Sequence, residues 1–210
     1  MRSLAAFSFV LSVLCLGCGE EDLPPVPAPD PDAEARLDDA VAKSSCGAVH
    51  DVFEIEGAAH VPNCSPVTYG TNPPSSGTHY GTWAAFRNYD TPLPRGFWVH
   101  SLEHGAVVIS YSCSDCDAEI DAARAVIDEA GVDPLCCTET SCGSPVSRVI
   151  LTPDPELDVP WAASSWGHTL RVDCFEPKVF AAFIDARRGH GAEGVCSDGA
   201  DLSGFECPPP

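Results

Sequence analysis

The stretch Phe97-Trp98-Val99-His100-Ser101-Leu102-Glu103-His104-Gly105-Ala106-Val107-Val108-Ile109-Ser110-Tyr111 places two histidines and a glutamate within five residues, then enters a β-prone apolar run. Positions i and i+4 share a face in a helix and also in a strand. His100 and His104 therefore point the same way under either backbone, whereas Glu103 joins them only if the backbone is helical. The order H-x-x-E-H is that of the inverted zinc-peptidase motif, which needs a helix that continues. Here Gly105 intervenes and Val107-Val108-Ile109 favours a strand, which argues against peptidase chemistry. A metal site without it is the stronger reading. Imidazole suits transition metals, zinc or copper foremost, and an acid can complete the shell. The candidate ligands are His79, His100, Glu103 and His104, with His60 and His168 as additional candidates. The competing reading is that these histidines hold loops together through hydrogen bonds.

Working outward, Asp117 to Ala130 reads as a helix. Ile120, Ala123, Val126, Ile127 and Ala130 fall on one face, and Gly131 ends it. Val146 to Leu151 and His168 to Val172 read as strands. Pro177 opens a second helix through Arg188, with Val179, Phe180, Phe183 and Ile184 as its buried face. On the near side, Val52 to Glu56 alternates apolar and acidic residues as a half-buried strand would. Gly70 to Tyr80 has no period and reads as a shaped loop, and Pro92, Pro94 and Gly96 read as a turn into the central stretch. The fold class expected is α+β (or α/β): a small mixed β-sheet packed by two helices.

The chain is 210 residues long with a formal charge of −20 and twelve cysteines. So acidic a protein repels phosphate backbones, which excludes nucleic acid as a partner. Arg2 followed by the apolar run Leu4 to Leu16 reads as an export signal too short to span a bilayer. Leu16-Gly17-Cys18 resembles a lipoprotein cleavage site, although Cys15 departs from the usual aliphatic residue. Residues 1–17 are therefore expected to be a signal peptide, and Cys18 the site of lipidation. The membrane is then a partner through that lipid, and the protein faces the periplasm or cell surface. Residues 18–45, acidic and rich in proline, cannot bury enough apolar surface to offset their ordering entropy and read as a disordered tether. Asp32 to Lys43 could form a short helix, with little apolar face to hold it down. Residues 46–210 form a single globular domain. Ten cysteines lie from Cys46 onward, an even number that reads as disulfide staples in an oxidising compartment.

Cys113-Ser114-Asp115-Cys116 stands apart. It follows a strand and precedes a helix, where a dithiol gains reactivity from the helix N-terminus. It is a candidate redox pair of the thioredoxin type, with Ser144-Pro145 placed where such enzymes carry a cis-proline. Asp115 and the lack of a tryptophan before Cys113 depart from that pattern.

The combination His60-Val61, Tyr69, Pro73-Pro74-x-Ser76-Gly77-x-His79, Tyr89, Val99-His100-x-Leu102-Glu103-His104-Gly105-x-Val107, Tyr111 and Trp166-Gly167 resembles a bacterial family of exported or membrane-anchored proteins, the domain of unknown function 3105. The resemblance covers about residues 60–193. It implies an extracytoplasmic, tethered domain and carries no activity or substrate. It does imply that the PP-x-SG-x-H loop and H-x-LEHG form one site. Three functions follow as expectations: a lipid-anchored envelope protein that binds a metal or small ligand, a disulfide oxidoreductase using Cys113 and Cys116, or a disulfide-stapled interaction module.

Overall fold

The computed structural model describes residues 26–136 and 146–208. The signal segment 1–17, Cys18, Cys137, Cys142 and the Ser144-Pro145 step lie outside the described residues. The architecture is α+β. A five-stranded mixed sheet has the order β1 (Val49–Val52), β7 (His168–Val172), β6 (Trp161–Ser165), β4 (Val107–Tyr111), β5 (Val149–Pro153). β4 and β5 are parallel and all other neighbours antiparallel. A second sheet holds only β2 (His60–Val61) and β3 (His79–Tyr80).

β4 is buried at every position, as a continuous apolar run at the centre of a sheet should be. Its alternation separates two cores. Val107, Ile109 and Tyr111 pack with Val149, Leu151, Trp161, Ala163 and Leu170 under the helices α3 (Asp117–Ala130) and α4 (Pro177–Arg187). Val108 and Ile150 face the other way, onto Phe97, Trp98, Leu102, Tyr80 and Phe86. That second layer is built around α2 (Arg95–Glu103) and carries the candidate site.

Both helices read from their apolar faces form, with Ala123, Val126 and Ile127 buried in α3 and Val179, Phe180, Phe183 and Ile184 buried in α4. Two further helices exist. α2 occupies the segment that Pro92, Pro94 and Gly96 marked as a turn: Pro94 is its N-cap, and its last residue is Glu103. Gly105, at φ +85, then turns the chain into β4, a backbone state that favours glycine. α1 (Pro31–Ala42) lies in the segment read as tether, and it packs on α4 through Ala33 and Leu37, both fully buried. Two small apolar positions one turn apart are enough to dock a helix whose other faces are acidic. The edge strand β1 sits earlier than the Val52 to Glu56 alternation suggested, and Val52, Phe53 and Ile55 are exposed. Trp161–Ser165 is an additional strand; its Ala-Ala-Ser-Ser run carries little intrinsic β preference. Among the described residues no helix is long and apolar enough to cross a membrane.

Among the described residues four cysteine pairs lie at disulfide distance. Cys46–Cys174, Cys64–Cys207 and Cys136–Cys196 have Cα separations of 5.2, 5.4 and 5.1 Å, and Cys113–Cys116 of 5.9 Å. All fall within the usual bridged range of roughly 4.4–6.8 Å.

Beside the Cys46 bridge, Glu176 gathers hydrogen bonds from the Ser44 hydroxyl, the Ser45 N–H at 2.9 Å, the Ser45 hydroxyl at 2.8 Å and the Cys46 N–H at 3.3 Å. These donors, the Ser44 hydroxyl first, hold its carboxyl down to about 2 from an ordinary 4.5. A group whose folded pKa is depressed contributes stability that is present above its unfolded pKa. Glu176 therefore supports the α1–β1 connection above pH 4.5, and that support is lost as pH falls toward 2. Acid unfolding curves of Glu176→Gln are expected to be flatter across that window and to start from lower stability at neutral pH. Equal slopes for the two proteins would refute the assignment.

Candidate metal centre

Three segments build the site. β2 and β3 pair in parallel with His60 in register with His79, which sets the two side chains next to one another. α2 supplies His100 and Glu103 at i and i+3, and its C-cap is His104 at i+4. The helical condition on which Glu103 depended is met, because the helix ends at Glu103 and not before. The PP-x-SG-x-H loop is almost wholly buried. The Ser76 hydroxyl accepts from Glu56 N–H at 3.0 Å, and the Ser75 carbonyl from Gly167 N–H at 2.9 Å. These bonds tie the loop both to the segment before β2 and to the turn between β6 and β7.

The His60, His79 and His100 rings form a triangle with centroids 4.6 to 4.8 Å apart. Glu103 Oε2 lies 3.0 Å from His79 Nε2, 3.5 Å from His60 Nε2 and 4.0 Å from His100 Nε2. All four residues can offer one ligand atom within 4.8 Å of every other. Four ligands at zinc bond lengths of about 2.0–2.1 Å in a tetrahedron are separated by roughly 3.3 Å, so the spacing fits one ion.

Tautomers sharpen this. His79 Nδ1 lies 2.8 Å from the Gly77 carbonyl and His100 Nδ1 lies 2.7 Å from the Tyr80 carbonyl. A carbonyl oxygen only accepts, so each Nδ1 carries the proton. In the neutral rings, both Nε2 lone pairs then point into the cluster, toward a carboxylate oxygen. A metal ion bound among them satisfies that arrangement, as does a proton on Nε2 that makes the ring an imidazolium donating to Glu103. A ring held by Nδ1–H to a backbone carbonyl, with Nε2 presented inward, is the usual outer-shell arrangement of a metal-bound histidine. Burial lowers His100 to about 4, which keeps it in the neutral, ligating form. Burial alone would raise Glu103; in the metal-free protein a protonated His79, donating from Nε2 and carrying charge, holds it below its ordinary value. His79 is fully buried, His100 and Glu103 nearly so, and the His60 side chain is half exposed at the rim.

His104 does not enter this cluster. It faces Glu193 at 3.3 Å and forms a neighbouring group with Glu103 and Glu193. Burial lowers it to about 3. Glu193 was not singled out in the sequence because it lies in a loop after α4 with no spacing relation to the motif. The chain comes so close there that a Cβ on Gly191 would lie 2.1 Å from the Glu103 carbonyl oxygen, and Glu193 N–H donates to that oxygen at 2.9 Å. Trp83 walls the site, its ring 5.3 Å from His100 and 4.6 Å from His104.

His168 lies elsewhere, at the start of β7. It receives an N–H from Arg187 on Nε2 at 3.3 Å, so its Nδ1–H donates to His50 Nε2 at 3.2 Å. Burial and the Arg187 charge lower it to about 4. It is a partly buried hydrogen-bonding residue that lies outside both candidate metal groups. Cys113 and Cys116 lie beyond β4, at the head of α3, outside both candidate metal groups.

A family model described as "Protein of unknown function (DUF3105)" matches residues 60–199, and the chain belongs to this family. The match spans every residue of both histidine-carboxylate groups. No curated protein and no solved structure matches the chain.

Proposed function

We propose that this is an exported, lipid-anchored envelope protein that binds one transition-metal ion, zinc or copper, through His60, His79, His100 and Glu103. The observation that carries the reading is the way two rings are aimed. The Gly77 and Tyr80 carbonyls accept from Nδ1–H of His79 and His100, which turns Nε2 of each toward the buried Glu103 carboxylate. Four protein ligands fill a tetrahedral shell, and closed shells of this kind serve binding or structure, not hydrolysis. His60, half exposed, is the ligand best placed to move aside for exchange with solvent. The export signal, the lipidation motif at Cys18 and the bridged cysteines support a location outside the cytoplasm.

The test is elemental analysis of the full chain isolated from the membrane fraction without chelator, followed by titration of the stripped protein with zinc and copper. The expected result is a transition metal near stoichiometric with the chain, and the same protein in the soluble fraction when Cys18→Ala is expressed. Absence of metal, together with no uptake on titration, would leave a disulfide-stapled interaction module as the function.

A further inference from the structure

Three of the four bridges among the described residues join segments 128, 143 and 60 residues apart. Each removes a large closed loop from the unfolded ensemble, which is how a disulfide stabilises a fold. Cys113–Cys116 spans a sequence separation of 3. It staples nothing distant, and its loop-closure contribution is the smallest of the four. A structural role therefore explains three bridges and leaves this one over.

Its surroundings suit exchange. β4 ends at Tyr111, where the Ser112 N–H and hydroxyl donate to the Pro160 and Val159 carbonyls at 3.0 and 2.8 Å. This fixes Cys113 at the end of the central strand. Cys116 is the N-cap of α3, a helix of 14 residues, and its side chain makes no capping hydrogen bond while bridged. The N-cap position is where a side-chain acceptor meets the free amides of the first turn. A thiolate released there gains those amides and the positive end of the helix. Ser112, Ser114, Asp115 and Asp117 are exposed around the pair, and both cysteines are partly so.

We propose that Cys113–Cys116 is a dithiol–disulfide exchange centre that accepts electrons from a dithiol segment of another protein. A partner thiolate attacks Cys113 Sγ. The Sγ–Sγ bond breaks, and Cys116 leaves as a thiolate capping α3. The partner's second thiolate attacks the mixed disulfide at the partner's own sulfur and releases Cys113. The net change is one disulfide reduced to two thiols here and two thiols oxidised to one disulfide in the partner, with two protons transferred. The lower-pKa thiol is the better leaving group, which assigns Cys116 that role. Asp115 and Asp117 select a partner whose dithiol is flanked by lysine or arginine.

The experiment equilibrates the oxidised full chain in graded thiol–disulfide buffers, alkylates free thiols and maps them. Cys113 and Cys116 are expected to become reduced before the other three pairs. Oxidation of a lysine-flanked dithiol peptide should slow by about tenfold or more in Cys113→Ser, and should be faster than that of a glutamate-flanked peptide. Cys116→Ser leaves Cys113 a free thiol, which should attack the disulfide of a single-cysteine peptide dimer, hold one peptide as a mixed disulfide and release the other as a thiol. Far-ultraviolet spectra and zinc uptake of both variants verify that they fold. Reduction of this pair together with or after the others, or an unchanged peptide oxidation rate in folded Cys113→Ser, would overturn the proposal. A preference for the glutamate-flanked peptide would overturn the partner assignment.

Discussion

Glu103→Gln is expected to lower the affinity for zinc by about a hundredfold or more while leaving the fold intact. Loss of an outer-shell partner alone typically costs about 10–100-fold in affinity, and the proposed centre makes Glu103 a ligand itself. Its Oε2 is the atom on which His79 and His60 converge, at 3.0 and 3.5 Å. Glutamine has the same shape but offers a neutral carbonyl in place of the carboxylate, so the ion loses its one anionic ligand in a buried site. The packing of α2, which rests on Phe97, Trp98, Val99 and Leu102, is untouched. His79→Ala and His100→Ala should act in the same direction. His168→Ala is the internal control. It removes a partly buried ring bonded to Arg187 and His50, so it should lower stability and leave the zinc affinity unchanged. Calorimetric titration of the four variants distinguishes the cases. An unchanged dissociation constant in folded Glu103→Gln would remove Glu103 from the centre.

Arg148→Met is expected to be the most destabilising single change outside the site. Arg148 and Asp133 are 2% and 1% exposed and face one another at 3.4 Å. Arg148 also donates to the Val195 carbonyl at 3.0 Å. Its guanidinium fills the space above Gly105, where a Cβ would lie 2.9 Å from it. One side chain thus joins the start of β5, the loop after α3, the tail and the turn that ends α2. Removing one partner of a buried pair leaves the other charge uncompensated, at about 3–5 kcal/mol. Typical domain stabilities are about 5–15 kcal/mol, so the variant sits near its unfolding limit at ambient temperature. Denaturant unfolding of Arg148→Met, Asp133→Leu and the double variant measures this. The double variant should be more stable than either single variant, because no unpaired charge remains. Simple additivity of the two losses would show that the pair does not act as a unit.

The parts of the fold that the sequence announced were those where local signals and tertiary packing agree. α3 and α4 each carry an apolar stripe at helical spacing, and α4 begins at a proline. β4 is a continuous apolar run. The parts that were hidden depend on distant partners. β6 is a strand because Ala162 and Ala163 lie between β4 and β7, not because alanine and serine favour extended backbone. α2 was masked by Pro94 and Gly96, which read as a turn. Yet proline suits a helix entrance, and Gly96 is required because a Cβ there would lie 2.6 Å from the Tyr80 ring. At the site, the motif spacing identified His79, His100 and Glu103. It gave His104 the same standing because i and i+4 share a face. The structure turns His104 toward Glu193, which comes from a loop some ninety residues later in the chain and fixed there by the Gly191 contact. His168 was an additional candidate, but β7 lies two strands from β4 in the sheet, and its ring lies near Arg187.

The central claim is that three imidazoles and one carboxylate surround a single ion. X-ray absorption at the zinc edge of the loaded full chain tests it most directly. The expected spectrum has four nitrogen or oxygen neighbours at about 2.0–2.1 Å, with the outer-shell scattering of three histidine rings, and loses imidazole scattering in His100→Ala. A shell containing sulfur at about 2.3 Å, or one of water oxygens without imidazole, would contradict the account.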